Sequence, residues 1–397
     1  MLLPLSSQPA EPPFNYRVSK CPVDRSSASH RIAIIRTGSS GDIIMTSPLL
    51  AGLRRSYPNA YITWFVEPKF ADVLTANPFV DEIVLWKSGP WKRSMNRRAF
   101  PPWSWEIAGL KKRLSEWNFD VLISFHGEQF EWLTENCGAP IKIGFFDEFP
   151  QFDKSGEEIL RKRIFTSSVT AGQQKPHRTD TALLALKLLN LPSCDDKQLY
   201  LGFTESDLEA GRVLLNASGL SAGSAYAVIA PFTTWDTRNW SLDKFASLGQ
   251  NLQSNLNLRI VLIGSLDQKE GIQKLARDLG EQTVVAAGNL TLRQMAAVIS
   301  EAGLLVSGDT GPMHTAAAVG TPYVALFGPT PAPGRAPLRG QGIIVDKHVS
   351  CAPCDLSVCK NSGSEYIQCM SSIGVDEVYR ECEKLIYGNS GSVGSGN

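Results

Sequence analysis

Short apolar runs and amphipathic stretches alternate along most of the chain. Residues 31–36 (RIAIIR) are apolar on both faces, which predicts a fully buried strand. A Gly/Ser turn follows. A helix then starts at Asp42 and runs through Leu49, Leu50 and Leu53 to Tyr57, where Pro58 breaks it. Residues 61–66 read as the next strand, and a helix at 69–76 and a strand at 82–86 continue the alternation. Beyond a long loop at 87–105 come a helix at 106–117, a strand at 120–125, a helix at 128–136 and a strand at 141–144. Strands joined through single helices by short connections imply a parallel sheet with right-handed crossovers.

Residues 145–175 are irregular and hydrophilic, and 177–189 read as a connecting helix. The alternation then restarts with a helix at 204–218 and a strand at 226–230. Strands at 258–263, 283–286, 304–307, 323–327 and 343–345 follow, with helices at 241–254, 267–280 and 291–301 between the earlier ones. A Pro-rich loop at 328–339, a Cys-bearing loop at 350–370 and a last helix at 375–387 close the pattern. The expected organisation is therefore α/β: two Rossmann-like domains with parallel sheets facing across a cleft. A loosely ordered leader (1–30) precedes an N-terminal domain (31–190), a C-terminal domain (191–387) and a flexible tail (388–397).

Each expected domain has a glycine turn at the carboxyl end of a strand, where open parallel sheets bind ligands. The first is Arg36-Thr37-Gly38-Ser39-Ser40-Gly41-Asp42. The second is Ser307-Gly308-Asp309-Thr310-Gly311-Pro312-Met313-His314, which leads from an apolar strand into a helix of small residues. Pro312 suits a first helical turn, since its missing N–H has no intrahelical partner there. Such a turn aims free N–H groups and the positive end of a helix dipole at one point, a setting for phosphate. Thr310 and Gly311 are the expected backbone donors, Asp309 orients the turn or touches the ligand beside the phosphate, and His314 stands in the first helical turn. The plainer reading, a helix capped by Asp309 or Thr310, fits the same residues. Asp42 is equally readable as a helix cap.

Several segments, taken together and in order, resemble glycosyltransferase family 9, the heptosyltransferases. They are Gly41-Asp42-Ile43 followed by Thr46, Pro48, Leu53, Arg54, Tyr57 and Pro58; Pro231-Phe232-Thr233-Thr234 with Trp240; and Ile263-Gly264-Ser265. Ala287-Gly288-Asn289-Leu290-Thr291-Leu292, Gly308 to His314, Phe327-Gly328-Pro329-Thr330 and Cys351-Ala352-Pro353-Cys354 complete the series. The resemblance implies a GT-B fold, with the acceptor on the N-terminal domain and the nucleotide sugar on the C-terminal one. It implies inverting, metal-independent transfer from ADP-L-glycero-β-D-manno-heptose to the inner core of lipopolysaccharide, with Asp42 as the base. Donor binding is expected from Thr233, Thr234, Arg238, Gly264, Ser265, Asp309, Thr310, Gly311 and His314. Arg238 stands where the family commonly has a lysine, and a guanidinium grips phosphate differently from an ammonium.

Composition narrows the picture. Lys+Arg and Asp+Glu are both 39, so no global field recruits nucleic acid. No apolar run approaches the ~20 residues of a membrane span, and the N-terminus makes a poor signal peptide, so the expected location is cytoplasmic. The 87–105 loop interleaves Arg93, Arg97 and other cations with Trp91 and Trp103. It is either a solvated loop or a contact with a phosphorylated glycolipid at the inner face of the membrane. Cys351, Cys354, Cys359 and Cys369 form a C-x2-C-x4-C-x9-C cluster, compatible with structural zinc or iron–sulfur ligation or with a purely structural role of the thiols. A transferase with another nucleotide sugar and cell-envelope acceptor, or a non-catalytic nucleotide-sugar-binding protein, also fits these motifs. A dinucleotide oxidoreductase does not, because neither turn has Gly-x-Gly-x-x-Gly spacing.

Overall fold

The computed structural model describes residues 16–18, 25–86, 112, 115–125, 131–146, 165–170, 176–220 and 223–388. Their strands form two sheets. The first holds β1 (Tyr16–Val18), β2 (His30–Ile35), β3 (Ala60–Val66), β4 (Glu82–Leu85), β5 (Val121–Ser124), β6 (Ile141–Phe146) and β7 (Ser167–Thr170), in the order β1-β4-β3-β2-β5-β6-β7. The second holds β8 (Tyr226–Ala230), β9 (Arg259–Leu262), β10 (Thr283–Val285), β11 (Leu304–Gly308), β12 (Tyr323–Phe327) and β13 (Gly342–Asp346), in the order β10-β9-β8-β11-β12-β13. Every pairing is parallel except β1 with β4. The helices are α1 (Ser40–Ser56), α2 (Glu131–Asn136), α3 (Arg178–Leu188), α4 (Glu205–Ala217), α5 (Leu242–Leu256), α6 (Lys269–Leu279), α7 (Leu292–Ser300), α8 (Gly311–Val319), α9 (Ala332–Arg335), α10 (Gln368–Ser371) and α11 (Val375–Gly388).

Several segments differ from the sequence expectation, among them the short helices α9 and α10, which lie in stretches expected to be loops. Tyr16–Val18 lies in the stretch expected to be a loose leader, yet pairs antiparallel with β4. Ser167–Thr170 lies in the stretch expected to be irregular, yet pairs with β6. Both are short strands at sheet edges, where a strand need not show the apolar run of a buried one. The helix expected at 69–76 is a 3-10 turn, Pro68–Val73.

The chain divides into two compact units that are discontinuous in sequence. One comprises 1–38, 57–71 and 78–172; the other comprises 39–56, 72–77 and 173–397. The first unit's core gathers Ala33, Ile35, Phe65, Val84, Trp117 and Phe119, with the Phe65 ring edge-on to Trp117. In the second, Ile229, Leu262, Leu304, Val306, Val324 and Leu326 from successive strands meet Phe245, Leu248, Ile272 and Leu275 from α5 and α6.

Helix α1 follows β2 in sequence but belongs to the second unit, where it packs on α3 and α8. Ile43, Ile44, Met45, Leu49, Leu50 and Leu53 are all buried, so the helix is apolar nearly all round, the mark of an internal helix. A Cβ on Gly52 would stand 2.5 Å from Leu186 Cδ1, and its absence lets α3 approach. Pro48 lacks the N–H that would bond the carbonyl of Ile44. Ser47 supplies the missing donor, its hydroxyl lying 2.6 Å from Ile44 O.

Ile229 is wholly buried in β8, in the middle of the second sheet. Ile229→Ala is expected to lower unfolding stability by about 2–5 kcal/mol, read by urea denaturation, because both transfer energy and packing are lost.

Candidate active site

In the second sheet β8 lies beside both β9 and β11, so the direction of strand progression reverses between β8 and β11. Crevices beyond the carboxyl ends of strands at such a reversal are where doubly wound sheets bind ligands. The segments leaving β8, β11 and β12 there are 231–238, 309–312 and 328–335.

At the end of β11 the chain turns tightly, and a Cβ on Gly308 would lie 2.8 Å from Thr233 Cγ2. Thr310 is the N-cap of α8 in extended conformation, yet its side chain makes no capping hydrogen bond. The Asp309 carboxylate is turned to other partners. Its Oδ2 accepts from Thr330 Oγ1 at 2.8 Å and lies 3.4 Å from Arg238 Nη1 and 3.9 Å from Arg335 Nη1. Arg335 also donates to Asp355 Oδ1 at 2.7 Å. Arg238 stacks its guanidinium 3.6 Å from the Trp235 ring centroid. Burial pulls the Arg238 pKa down and the Asp309 charge pushes it back up. Its Nε is buried with no acceptor among the described residues. A buried charged donor without a partner is costly, and an anion at this point would satisfy it.

Asp42 stands in the first turn of α1. Its Oδ2 accepts from the backbone N–H and the hydroxyl of Ser39, both at 3.3 Å, while Oδ1 lies 3.2 Å from Arg178 Nη1. Capping and ion pairing thus fall on different oxygens of one carboxylate, which keeps 22% of its side-chain surface exposed. The starts of α1 and α8 abut: a Cβ on Gly41 would lie 2.7 Å from His314 Cδ2, and one on Gly311 2.5 Å from Ser40 Oγ. His314 is buried, and its Nδ1 has no partner among the described residues. Burial lowers its pKa to about 4, against the opposing charges of Asp309 and Asp42, so the ring is neutral near pH 7.

The remaining residues marked by the sequence fall in several places. The Thr233 hydroxyl donates to Trp235 O at 2.8 Å and accepts from Trp235 N–H at 3.3 Å, so it holds its own loop. Thr234 is exposed in that loop, and Gly264 and Ser265 follow β9, where the Ser265 N–H donates to Gln268 Oε1 at 3.1 Å. Arg93 and Arg97 lie outside the described residues. Cys351, Cys354, Cys359 and Cys369 line one pocket with Thr237. Burial and the neighbouring thiols push the Cys369 pKa up. Among the described residues, no group of three or more His, Cys, Asp or Glu side chains is gathered closely enough to hold a metal ion. No described helix is long and apolar enough to cross a membrane. Arg178, Trp235 and Arg335 are candidate-site residues that sequence reading passed over, and Thr330, quoted there within a motif, was given no role. The available signal for Thr330 and Arg335 was their place just beyond a buried strand adjacent to β11.

The family model for glycosyltransferase family 9 (heptosyltransferase) matches residues 107–364. Lipopolysaccharide heptosyltransferase 1 of Pseudomonas aeruginosa is 28% identical over 84% of this chain and 89% of its own length. The crystal structure of a family 9 glycosyltransferase from Veillonella parvula superposes with a TM-score of 0.74 at 22% identity, covering 91% of this chain and 98% of that one. The Escherichia coli heptosyltransferase WaaC with ADP-2-deoxy-2-fluoro heptose gives 0.62 at 21% identity, covering 89% and 99%. The chain belongs to glycosyltransferase family 9. It is a glycosyltransferase enzyme with the GT-B fold.

The His314 ring generates a pH dependence of stability. Its folded pKa is about 4 against an ordinary 6.5, so between these values the unfolded chain binds the extra proton. Stability is therefore lost as pH falls from about 6.5 towards 4, by about 3 kcal/mol at most. Urea unfolding across this range is expected to show a shallower acid-side loss for His314→Gln than for the wild type.

Proposed function

We propose that this chain transfers heptose from ADP-L-glycero-β-D-manno-heptose to the inner core of lipopolysaccharide, with inversion at the anomeric carbon. The observation that carries the reading is the meeting of the α1 and α8 N-termini. A partly exposed carboxylate, Asp42, lies beside a helix start that Thr310 leaves without a side-chain cap, and the buried Arg238 and the partly buried Arg335 converge on the Asp309 that precedes it. Asp42 accepts the proton of the acceptor hydroxyl as that oxygen attacks the anomeric carbon. On the opposite face the bond from this carbon to the diphosphate oxygen breaks, and the electron pair leaves with ADP. The N–H groups of Thr310 and Gly311, the Thr310 hydroxyl and the two guanidiniums take up the developing charge. Asp309 aims the guanidiniums, and neutral His314 adds a hydrogen bond without a charge.

In this reading residues 31–190 serve the acceptor and 191–387 the nucleotide sugar. Thr234, Gly264 and Ser265 serve the nucleotide side at the ends of β8 and β9, while Thr233 shapes their loop. Arg93 and Arg97 meet the phosphorylated acceptor, with the enzyme in the cytoplasm against the inner face of the membrane. No metal takes part in the transfer. A structural zinc or iron–sulfur group at Cys351, Cys354, Cys359 and Cys369 is a separate proposal, supported by the pocket the four thiols share.

Asp42→Asn is expected to lower kcat by about a hundredfold or more while ADP-heptose still binds. Arg238→Ala is expected to raise the donor KM by at least about tenfold, through loss of a charge-assisted contact. Transfer assays with ADP-, UDP- and GDP-sugars decide the donor; turnover with UDP- or GDP-sugars alone would sink the heptosyl reading. For the cysteines, elemental analysis of purified protein is expected to show stoichiometric zinc or iron, and metal-free, fully folded protein would end that proposal.

A further inference from the structure

His177 is a buried residue that the transfer chemistry above does not use. It is the N-cap of α3, a place more often held by Ser, Thr, Asp or Asn. Its Nδ1 accepts from the Thr179 N–H at 3.1 Å, and its Nε2 lies 2.7 Å from the carbonyl oxygen of Ala336. An amide N–H only donates and a carbonyl only accepts, so the ring is neutral with its proton on Nε2. The next residue in each direction is a site residue. Arg178 follows His177 and pairs with Asp42. Arg335 precedes Ala336 and pairs with Asp309 and Asp355. One imidazole therefore ties the helix start that holds the base's partner to the segment that carries a guanidinium of the phosphate site. A shorter capping side chain would serve α3 equally well but would not span the gap to Ala336.

We propose that His177 is a positioning residue, holding Arg178 at Asp42 and Arg335 at Asp309 in one register so that base and leaving-group site are set together. This rests on the functional reading above. The proton on Nε2 donates to Ala336, and the lone pair on Nδ1 caps α3. Neither nitrogen is free to touch substrate, so the residue acts through the two arginines. Burial lowers the pKa of the ring, in keeping with its neutral state.

The test compares His177→Asn, which keeps an acceptor for the α3 cap but cannot reach Ala336, with His177→Ala, which loses both. His177→Asn is expected to stay folded with near-wild-type thermal stability, while its donor KM rises and its kcat falls, each by up to about tenfold. Acceptor KM is expected to stay unchanged. A double-mutant cycle with Arg335→Ala, read by calorimetric binding of ADP and of inorganic pyrophosphate, isolates the route. If His177 acts through Arg335, His177→Asn weakens binding in the wild-type background and has little further effect once Arg335 is gone. Additive losses in the cycle, or a His177→Asn variant with unchanged kinetics, would overturn the proposal. Wild-type protein that binds pyrophosphate but neither ADP nor ADP-heptose would instead refute the heptosyl-donor reading, and the pyrophosphate cycle would still judge His177.

Discussion

Two helix N-termini with almost no room between them govern the arrangement of the site. The first turn of α1 meets the first turn of α8 through Gly41 and Gly311, where added Cβ atoms would collide with His314 and Ser40. Each terminus carries the partial positive charge of its unpaired N–H groups, and bringing two together is unfavourable unless negative charge lies close by. Asp42 supplies one such charge and Asp309 another, and a diphosphate would supply more. The same constraint explains the buried His314. A protonated ring among these helix ends would add to the positive charge, and burial keeps it neutral.

The ionic groups at the end of β11 follow a second logic. Asp309 is almost fully enclosed and is shared by Arg238, Arg335 and Thr330. Such an assembly is a weak source of stability, because the desolvation of its members offsets most of their attraction. Its value lies in preorganisation. The guanidiniums stay aimed before any ligand arrives, so in the proposed transfer little reorganisation is needed when charge develops on the leaving group. Trp235 covers one face of Arg238 and fixes the plane of its guanidinium.

Much of this was legible in the sequence, for identifiable reasons. Buried parallel strands such as Leu304–Gly308 carry unbroken apolar runs, and the glycine turns announce close backbone approach, so the alternating architecture and the two turns with Asp42, Asp309 and Thr310 could be read directly. The edge strands Tyr16–Val18 and Ser167–Thr170 could not, because their pairing leaves little trace in hydropathy. Arg178, Arg335 and His177 escaped for another reason. Each acts through a partner far away in sequence: Asp42 for Arg178, Asp309 for Arg335, and Ala336 for His177. Local pattern carries no record of such pairings. Thr233 shows the converse: a hydroxyl in a recognisable motif is spent on its own loop.

Helix α1 has a consequence for how the protein is made. It is encoded near the beginning of the chain, yet its packing partners α3 and α8 are encoded much later. During synthesis this apolar helix leaves the ribosome before either of these partners exists, and the faces it packs on them wait for later segments. The sheet of the first unit can assemble early, but the carboxylate of Asp42 finds its setting only near the end of translation. A nascent chain halted after residue 172 lacks both helices that α1 packs on, and apolar surface left open in this way is a target for holding chaperones and a route to aggregation. The setting of the proposed base is thus completed last, around a segment that was synthesised among the first.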